Sequence, residues 1–408
     1  MVSKGIDIFM FIPSVPLDKT PNGVCTYAKN LICLLSDDGS FRVRLVAKAS
    51  TQEDCAAAGA HAYYLNQNSM ARRLLVRIFG RPKYEAMMAW KFGKFVQKAS
   101  RQSPCLIEME EVFGQSKRVQ RYAGAVPVVV RLHGPWFLVG DAQGFPHDLN
   151  YQERVRAEGE AIYAADAVSA PSEFVLRAVE EFYKKELPRK IVIANPFPEC
   201  FPEDHWKLPE ATSLVLFVGR FDKVKGADIF IEAMFKLAEK VDGLRAVFVG
   251  PDDKKIAVED GRVLDRQAFV AWCEEKYQRP SPIEFMGRKS PEEITQLRKQ
   301  AAVCVVSSRI EMFPYTVAEA LAQGVPTVAS QVGGIPEMID DGHNGLLFDS
   351  EDVDGLLACA RKILASPELS VQLSANALTT VREKYSHEVL ARAQKKFYRS
   401  VADCFVDG

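Results

Sequence analysis

The sequence predicts an α/β protein of two doubly wound, Rossmann-like domains, each a parallel sheet covered on both faces. Three observations carry this. Short apolar, β-branched runs alternate with helix-like segments along the whole chain. The runs are continuous in apolar character, which marks strands buried on both sides. They also fall into two series, divided by a proline-rich stretch.

The first series comprises Ile6–Ile12, Val43–Ala47, Leu106–Met109, Val126–Leu132, Ala167–Ala170 and Ile191–Ala194. The second comprises Leu214–Gly219, Ala246–Gly250, Ile283–Met286, Val303–Ser307, Thr327–Ala329 and Leu346–Phe348. Helical patterns lie between many of them, as in Tyr27–Leu35, Asp228–Lys240 and Pro291–Gln300. Between the series, Asn195–Pro209 holds four prolines and no clean period, the composition of a boundary. The first domain is therefore read as residues 1–196 and the second as 197–385. The last segment, Pro367–Asp407, reads as helical and amphipathic, with Tyr385, Phe397, Tyr398 and Phe405 as aromatics.

Bulk properties exclude several classes. At 408 residues the chain is long enough for two cores. Apolar content of 48% and charged content of 26% are those of a soluble globular protein. A net charge of -1 supplies no field for nucleic acid. Nine cysteines show no CxxC pair or metal-ligand spacing and read as reduced thiols, mostly small core residues. No apolar run reaches the roughly 18 residues that span a bilayer. The N-terminal run MVSKGIDIFMFIPS lacks the length and cleavage site of a signal peptide, so it is read as a first strand. Cytoplasmic residence is the expectation, with peripheral contact at the inner face of a membrane left open.

Candidate site residues follow in chain order. The loop after the first strand leads to Gly23, where a helix starts near Val24 or Cys25. Such a junction either favours a phosphate or is a plain βα turn. No GxGxxG follows the strand, so a nicotinamide dehydrogenase is not supported. Residues 70–98 carry Arg72, Arg73, Arg77, Arg81, Lys83, Lys91, Lys94 and Lys98 against Glu85 alone, with apolar residues interleaved. This is either a contact for an anionic membrane or acceptor, or a solvated helical face. Glu108, Glu110 and Glu111 read as acceptor contacts or a solvated acidic loop. His133 ends the run VPVVVRLHG, where an imidazole can donate to a sugar hydroxyl or balance phosphate charge, or be an ordinary turn histidine. The histidines form no HxxxH-like pair, and no metal is expected.

The second half opens with LVLFVGRFDKVKGAD. Arg220 and Lys225 lie just past a strand end, beside Gly219 and Gly226, and suit a diphosphate. The stretch Ser307–Gly345 then places Glu311 and Glu319 seven intervening residues apart. Pro314 suits the first turn of a helix over Tyr315–Gln323, whose N-terminal N–H groups make an anion site. Glu319 on that helix can accept ribose hydroxyls, and Glu311 those of a sugar. Gly324 stops the helix, and Gly333-Gly334 form a turn.

These motifs resemble retaining glycosyltransferases of family 4. The likeness is carried by VGRFDKVKG, FMG at Phe285–Gly287, the Glu311/Glu319 pair, AQGVPTVAS, GGIPE and NGLLF. Ala165-Asp166 with Ser169 and Ser172, the IANPF run, Asn22–Val24 and His133 add to it. Asn22 stands where the family often has glycine. The resemblance implies the GT-B fold: two Rossmann-like domains facing a central cleft, an N-terminal acceptor domain and a C-terminal donor domain. A C-terminal helix over 386–408 would cross back to the first domain.

It further implies a nucleoside-diphosphate-sugar donor and a glycan, lipid-linked or small-molecule acceptor, with no cofactor and no metal. Arg220 and Lys225 would bind the diphosphate. Glu311 would hold the sugar, with backbone N–H groups at Phe313, Tyr315 and Thr316 beside Pro314. Glu319 would hold the ribose and His133 would touch the sugar. A nucleotide-sugar epimerase of the same fold and a non-catalytic nucleotide-sugar-binding partner are the alternatives.

Overall fold

The computed structural model describes residues 5–12, 23–37, 39–47, 62–64, 76–78, 81–210 and 213–404. The chain divides into two compact units. Unit 1 is residues 1–196 with 387–408, and unit 2 is residues 197–386.

Unit 1 holds strands β1 (Ile6–Ile12), β2 (Phe41–Ala47), β3 (Ala62–Tyr64), β4 (Cys105–Glu110), β5 (Val128–Arg131), β6 (Ala167–Ala170) and β7 (Lys190–Val192). They form one parallel sheet in the order β3-β2-β1-β4-β5-β6-β7. Its helices are α1 (Gly23–Leu35), α2 (Arg81–Ala99), α3 (Gln115–Ala123), α4 (Trp136–Ala142), α5 (Leu149–Ile162) and α6 (Glu173–Tyr183).

The two-residue period of β1 explains the layering. Ile8, Met10 and Ile12 pack with Leu31 of α1, while Phe9 and Phe11 pack with Phe92 of α2 and Val119 of α3. Each side chain so buried stabilises the fold by about 1.5–3 kcal/mol.

Unit 2 holds β8 (Leu214–Val218), β9 (Arg245–Val249), a two-stranded hairpin β10 (Ile256–Ala257) and β11 (Val263–Leu264), β12 (Ile283–Gly287), β13 (Val303–Val306), β14 (Thr327–Ser330) and β15 (Leu346–Phe348). Its parallel sheet runs β12-β9-β8-β13-β14-β15. The helices are α7 (Ala227–Leu237), α8 (Arg266–Tyr277), α9 (Pro291–Gln300), α10 (Tyr315–Gln323), α11 (Ile335–Met338), α12 (Val353–Leu364) and α13 (Pro367–Thr380). Phe217, Phe230 and Phe248 form its aromatic centre, with rings 4.6 Å apart for Phe217 and Phe248. Helix α9 begins with a capping box between Ser290 and Glu293.

The final helix, α14 (His387–Asp403), belongs to unit 1. Its Leu390, Phe397, Tyr398 and Val401 share one face and enter the α1 side of the unit 1 core. A fully buried carboxylate fixes it there. Glu108 on β4 accepts from Tyr27 Oη at 2.9 Å and from Tyr398 Oη at 2.8 Å. The sequence left Glu108 and Glu111 open to a solvated loop, and the structure corrects this: both are buried.

Candidate functional site

In the unit 2 sheet the strand order reverses between β8 and β13, so their carboxyl ends open side by side. The loop after β8 carries Gly219, Arg220 and Lys225, and the loop after β13 carries Ser308 and Glu311. Hydrogen bonds join these loops. Ser307 Oγ donates to the Gly226 carbonyl at 2.7 Å, and the Arg309 N–H donates to the Val224 carbonyl at 2.8 Å.

The joined loops bring Lys225 to Glu311. Lys225 Nζ lies 2.5 Å from Glu311 Oε1, and Ser308 Oγ donates to the same oxygen at 2.8 Å. Arg220 and Lys225 are both set by Asp222. Its Oδ2 accepts from Arg220 Nε at 2.7 Å, and its Oδ1 accepts the Lys225 N–H at 2.7 Å. Arg220 keeps half of its side chain exposed, so its remaining donors face outward.

Glu311 is held from behind. Its carbonyl accepts the Gly334 N–H at 2.9 Å. Gly333 has φ +57°, and a Cβ there would stand 1.9 Å from that carbonyl oxygen, so only glycine fits. Helix α10 starts beside it with no side chain capping its N-terminus. Pro314 was expected in the first helical turn. It lies one position earlier, as the N-cap, because its extended backbone aims its carbonyl at the Val317 and Ala318 N–H groups. Phe313 is buried, with its ring 6.0 Å from that of Tyr385. Tyr315 and Thr316 are the first residues of α10.

Glu319 sits farther along α10, where Arg298 Nη2 donates to its Oε2 at 2.7 Å. Arg298 is buried, with Gln323 as a weaker neighbour at 3.5 Å. About a third of the Glu319 side chain stays exposed. A hollow of about 180 Å³ opens beside it, lined among others by Pro291, Ile294 and Pro198.

Unit 1 presents His133 at the carboxyl end of β5. Its ring lies edge-on to Tyr27 at 4.9 Å. Burial, reinforced by the Arg131 cation nearby, pushes its pKa down to about 3, so the imidazole is neutral at pH 7. Of the three readings the sequence left open, a neutral ring suits the hydrogen bond to a sugar hydroxyl and the ordinary turn histidine, and does not suit charge balance. The His133 backbone N–H donates to Glu111 Oε2 at 3.0 Å and the Gly134 N–H to Oε1 at 2.8 Å. Burial, then the charge of Glu158, raises the Glu111 pKa to about 8.

Gly23 is the first residue of α1, while the preceding residues 13–22 lie outside the described chain. Of the basic stretch 70–98, residues 81–98 lie on α2 and residues 70–75 and 79–80 lie outside the described chain. Sequence reasoning missed Asp222, Arg298 and Ser308. A signal for Asp222 was available in its place three residues before Lys225, the spacing of a side chain that closes a turn on a backbone N–H.

A model of the family described as "Glycosyl transferases group 1" matches residues 202–380, the stretch that holds Arg220, Lys225, Glu311 and Glu319. That stretch is similar to the group 1 glycosyl transferases. The D-inositol 3-phosphate glycosyltransferase of a Nocardioides species is 26% identical over 298 residues, covering 70% of this chain and 65% of that protein.

Among solved structures, Anabaena HepE in complex with UDP and glucose superposes with a TM-score of 0.69 at 17% identity, over 97% of this chain and 99% of that one. Sucrose-phosphate synthase from Thermosynechococcus elongatus gives 0.68 at 19%, over 98% and 99%. These likenesses show the fold, and the chain has the GT-B fold of two Rossmann-like units. Among the described residues no helix is long and apolar enough to cross a membrane.

Proposed function

We propose that the chain is a retaining glycosyltransferase that moves a sugar from a nucleoside-diphosphate sugar to a hydroxyl of a glycan, lipid-linked or small-molecule acceptor. The observation that carries this is the convergence of Arg220, Lys225, Glu311 and the uncapped start of α10 at one switch point of the unit 2 sheet. A diphosphate sugar has the complementary chemistry. Its phosphates suit the two cations and the helix N-terminus, and its hydroxyls suit a carboxylate.

Without donor, Lys225 and Glu311 neutralise each other. Donor binding exchanges this pair: Lys225 turns to phosphate, and Glu311 is released to accept sugar hydroxyls. Glu319, oriented by Arg298, accepts from the ribose. Neutral His133 offers a hydrogen bond to a sugar hydroxyl. The acceptor oxygen bonds to the anomeric carbon as the bond to the diphosphate breaks. Attack comes from the face the diphosphate leaves, and a departing phosphate oxygen takes the acceptor proton. Two side-chain cations balance the leaving charge, so the step needs no metal.

A panel of UDP-, GDP- and ADP-sugars tests the reading by donor binding and turnover. Glu311→Ala is expected to lower kcat by about 100-fold, and Arg220→Ala to weaken donor binding by about 10-fold, the scale of a charge-assisted hydrogen bond. Wild-type kinetics in both variants, or a donor panel that neither binds nor reacts, would remove the assignment.

A further inference from the structure

Unit 1 contains a cavity of about 460 Å³ that shares no residue with the proposed donor site. Its wall is aromatic. Phe145, 47% exposed, stands 5.0 Å from the Trp136 ring, tilted by 53°. The Arg154 guanidinium is sandwiched between Trp136, 3.6 Å from its ring, and Phe113, 4.2 Å away.

A single carboxylate assembles this wall. Glu158, 1% exposed, accepts the Trp136 N–H at 2.7 Å, the Phe113 N–H at 3.2 Å and Arg154 Nε at 2.8 Å. Phe113 is held at φ +55°, a left-handed conformation that bulky residues avoid. The following Gly114 lies so close to α5 that a Cβ would meet the Ala157 carbonyl oxygen at 2.2 Å. The backbone is thus bent to turn a phenylalanine ring outward into the cavity, and such strain gathers at binding sites. The buried Glu111 that ties down the His133 and Gly134 backbone feels the charge of this same Glu158. The cavity wall and His133 therefore share one buried carboxylate pair.

The charges select the ligand. Two arginines line the cavity against Glu85, Asp148 and Glu153. Arg118 is paired with Glu85 at 3.0 Å, and Arg154 with Glu158. A phosphorylated acceptor would meet cations already neutralised and a surplus of carboxylate. A neutral sugar ring fits: its C–H face stacks on aromatic rings, and its hydroxyls bond to amide and carboxylate groups at the rim. We infer that this cavity binds a neutral pyranose ring of the acceptor, stacked on the exposed ring of Phe145, with hydroxyls on Asn150 and Glu153. The inference rests on the glycosyltransferase reading and makes the acceptor a neutral glycan, distinct from the inositol phosphate in the name of the Nocardioides relative.

The test uses the full chain and saturation-transfer NMR titrations with the methyl pyranosides of glucose, galactose and mannose. Glucose 6-phosphate and inositol 3-phosphate serve as the charged counterparts, with UDP, GDP and ADP titrated in parallel. A methyl pyranoside is expected to bind at millimolar concentration, with saturation on its ring C–H protons. Phe145→Ala and Asn150→Ala are each expected to weaken it by about 5-fold, the worth of one stacking or hydrogen-bonding contact. Both residues are exposed, so melting temperature and nucleotide binding should stay at wild-type values. Nucleotide binding with no pyranoside binding would overturn the cavity assignment alone. Preference for the phosphorylated ligands, or indifference to both substitutions, would overturn it too. Loss of all nucleotide binding in the wild type would bring down the donor reading with it.

Discussion

Lys225 and Glu311 restrain each other at 2.5 Å, and each is fixed by a neighbour that short-range pattern does not reveal. Their loops were legible because glycine, cation and carboxylate fall at strand ends, where a parallel sheet presents its ligands. Asp222 and Arg298 were hidden because their significance lies in a partner. A buried arginine such as Arg298 reads from sequence as one more polar helix residue until Glu319, 21 positions on, is seen across from it.

The buried ionisable groups of unit 1 give a residue-scale prediction. The Glu111 carboxyl keeps its proton up to about 8 in the folded chain, against an ordinary 4.5. The folded state then binds more protons than the unfolded one, so this stability is complete below 4.5 and is lost as pH rises towards 8. His133 has the opposite sign: its pKa is lowered from 6.5 to about 3, so its contribution is lost as pH falls through that interval. Glu111→Gln holds a neutral side chain at every pH. Its melting temperature should gain on wild type steadily between pH 5 and pH 8, a window bounded by the two Glu111 values. A gap that does not change with pH would contradict the assignment.

At the level of elements, the strands of the two parallel sheets were legible apart from β3, three-residue β15 included. The hairpin strands β10 and β11 have two residues each, too few for a period to show. Glu108 and Glu111 misled for a different reason. Three acidic residues within four positions look solvated, yet the partners of Glu108 are tyrosines 81 and 290 positions away. Tyr398→Phe removes one of its two hydroxyl donors. About 1–3 kcal/mol of stability should go with it, read as a lower denaturant midpoint.

Helix α2 carries its own prediction. Lys83, Trp90, Lys94 and Lys98 are exposed along it, with Trp90 at 47%. This combination suits an anionic bilayer surface, tryptophan at the headgroups and lysines at the phosphates. Vesicles containing phosphatidylserine should co-sediment the chain at low salt and release it at high salt. Trp90→Ala should weaken that binding, and equal sedimentation with neutral vesicles would exclude the charge contribution.

For the molecule as a whole, the sequence revealed two sheets through two series of apolar runs. The strand order that puts β8 beside β13 was not readable, because it depends on which strands pair. Each unit has its own apolar core, so calorimetry should resolve two transitions. A bound nucleoside diphosphate stabilises only the unit that holds it, by about 2.7 kcal/mol at a hundred times its Kd. The donor reading therefore predicts that one transition moves up and the other stays. Equal movement of both would argue against a donor site confined to unit 2.

The hydroxyl that Tyr398 gives to Glu108 has a consequence for how the protein is made. A ribosome emits β4 early and α14 only after all of unit 2 has been synthesised. Until then the nascent first sheet lacks one of the two tyrosine donors of its buried carboxylate, and the apolar face that α14 covers stays open. Unit 2 is continuous in sequence, so all of its own chain has been made by then. The order of birth and the order of completion are therefore reversed: the half that emerges second is finished first, and the half that emerges first must be kept from aggregating until the last helix arrives.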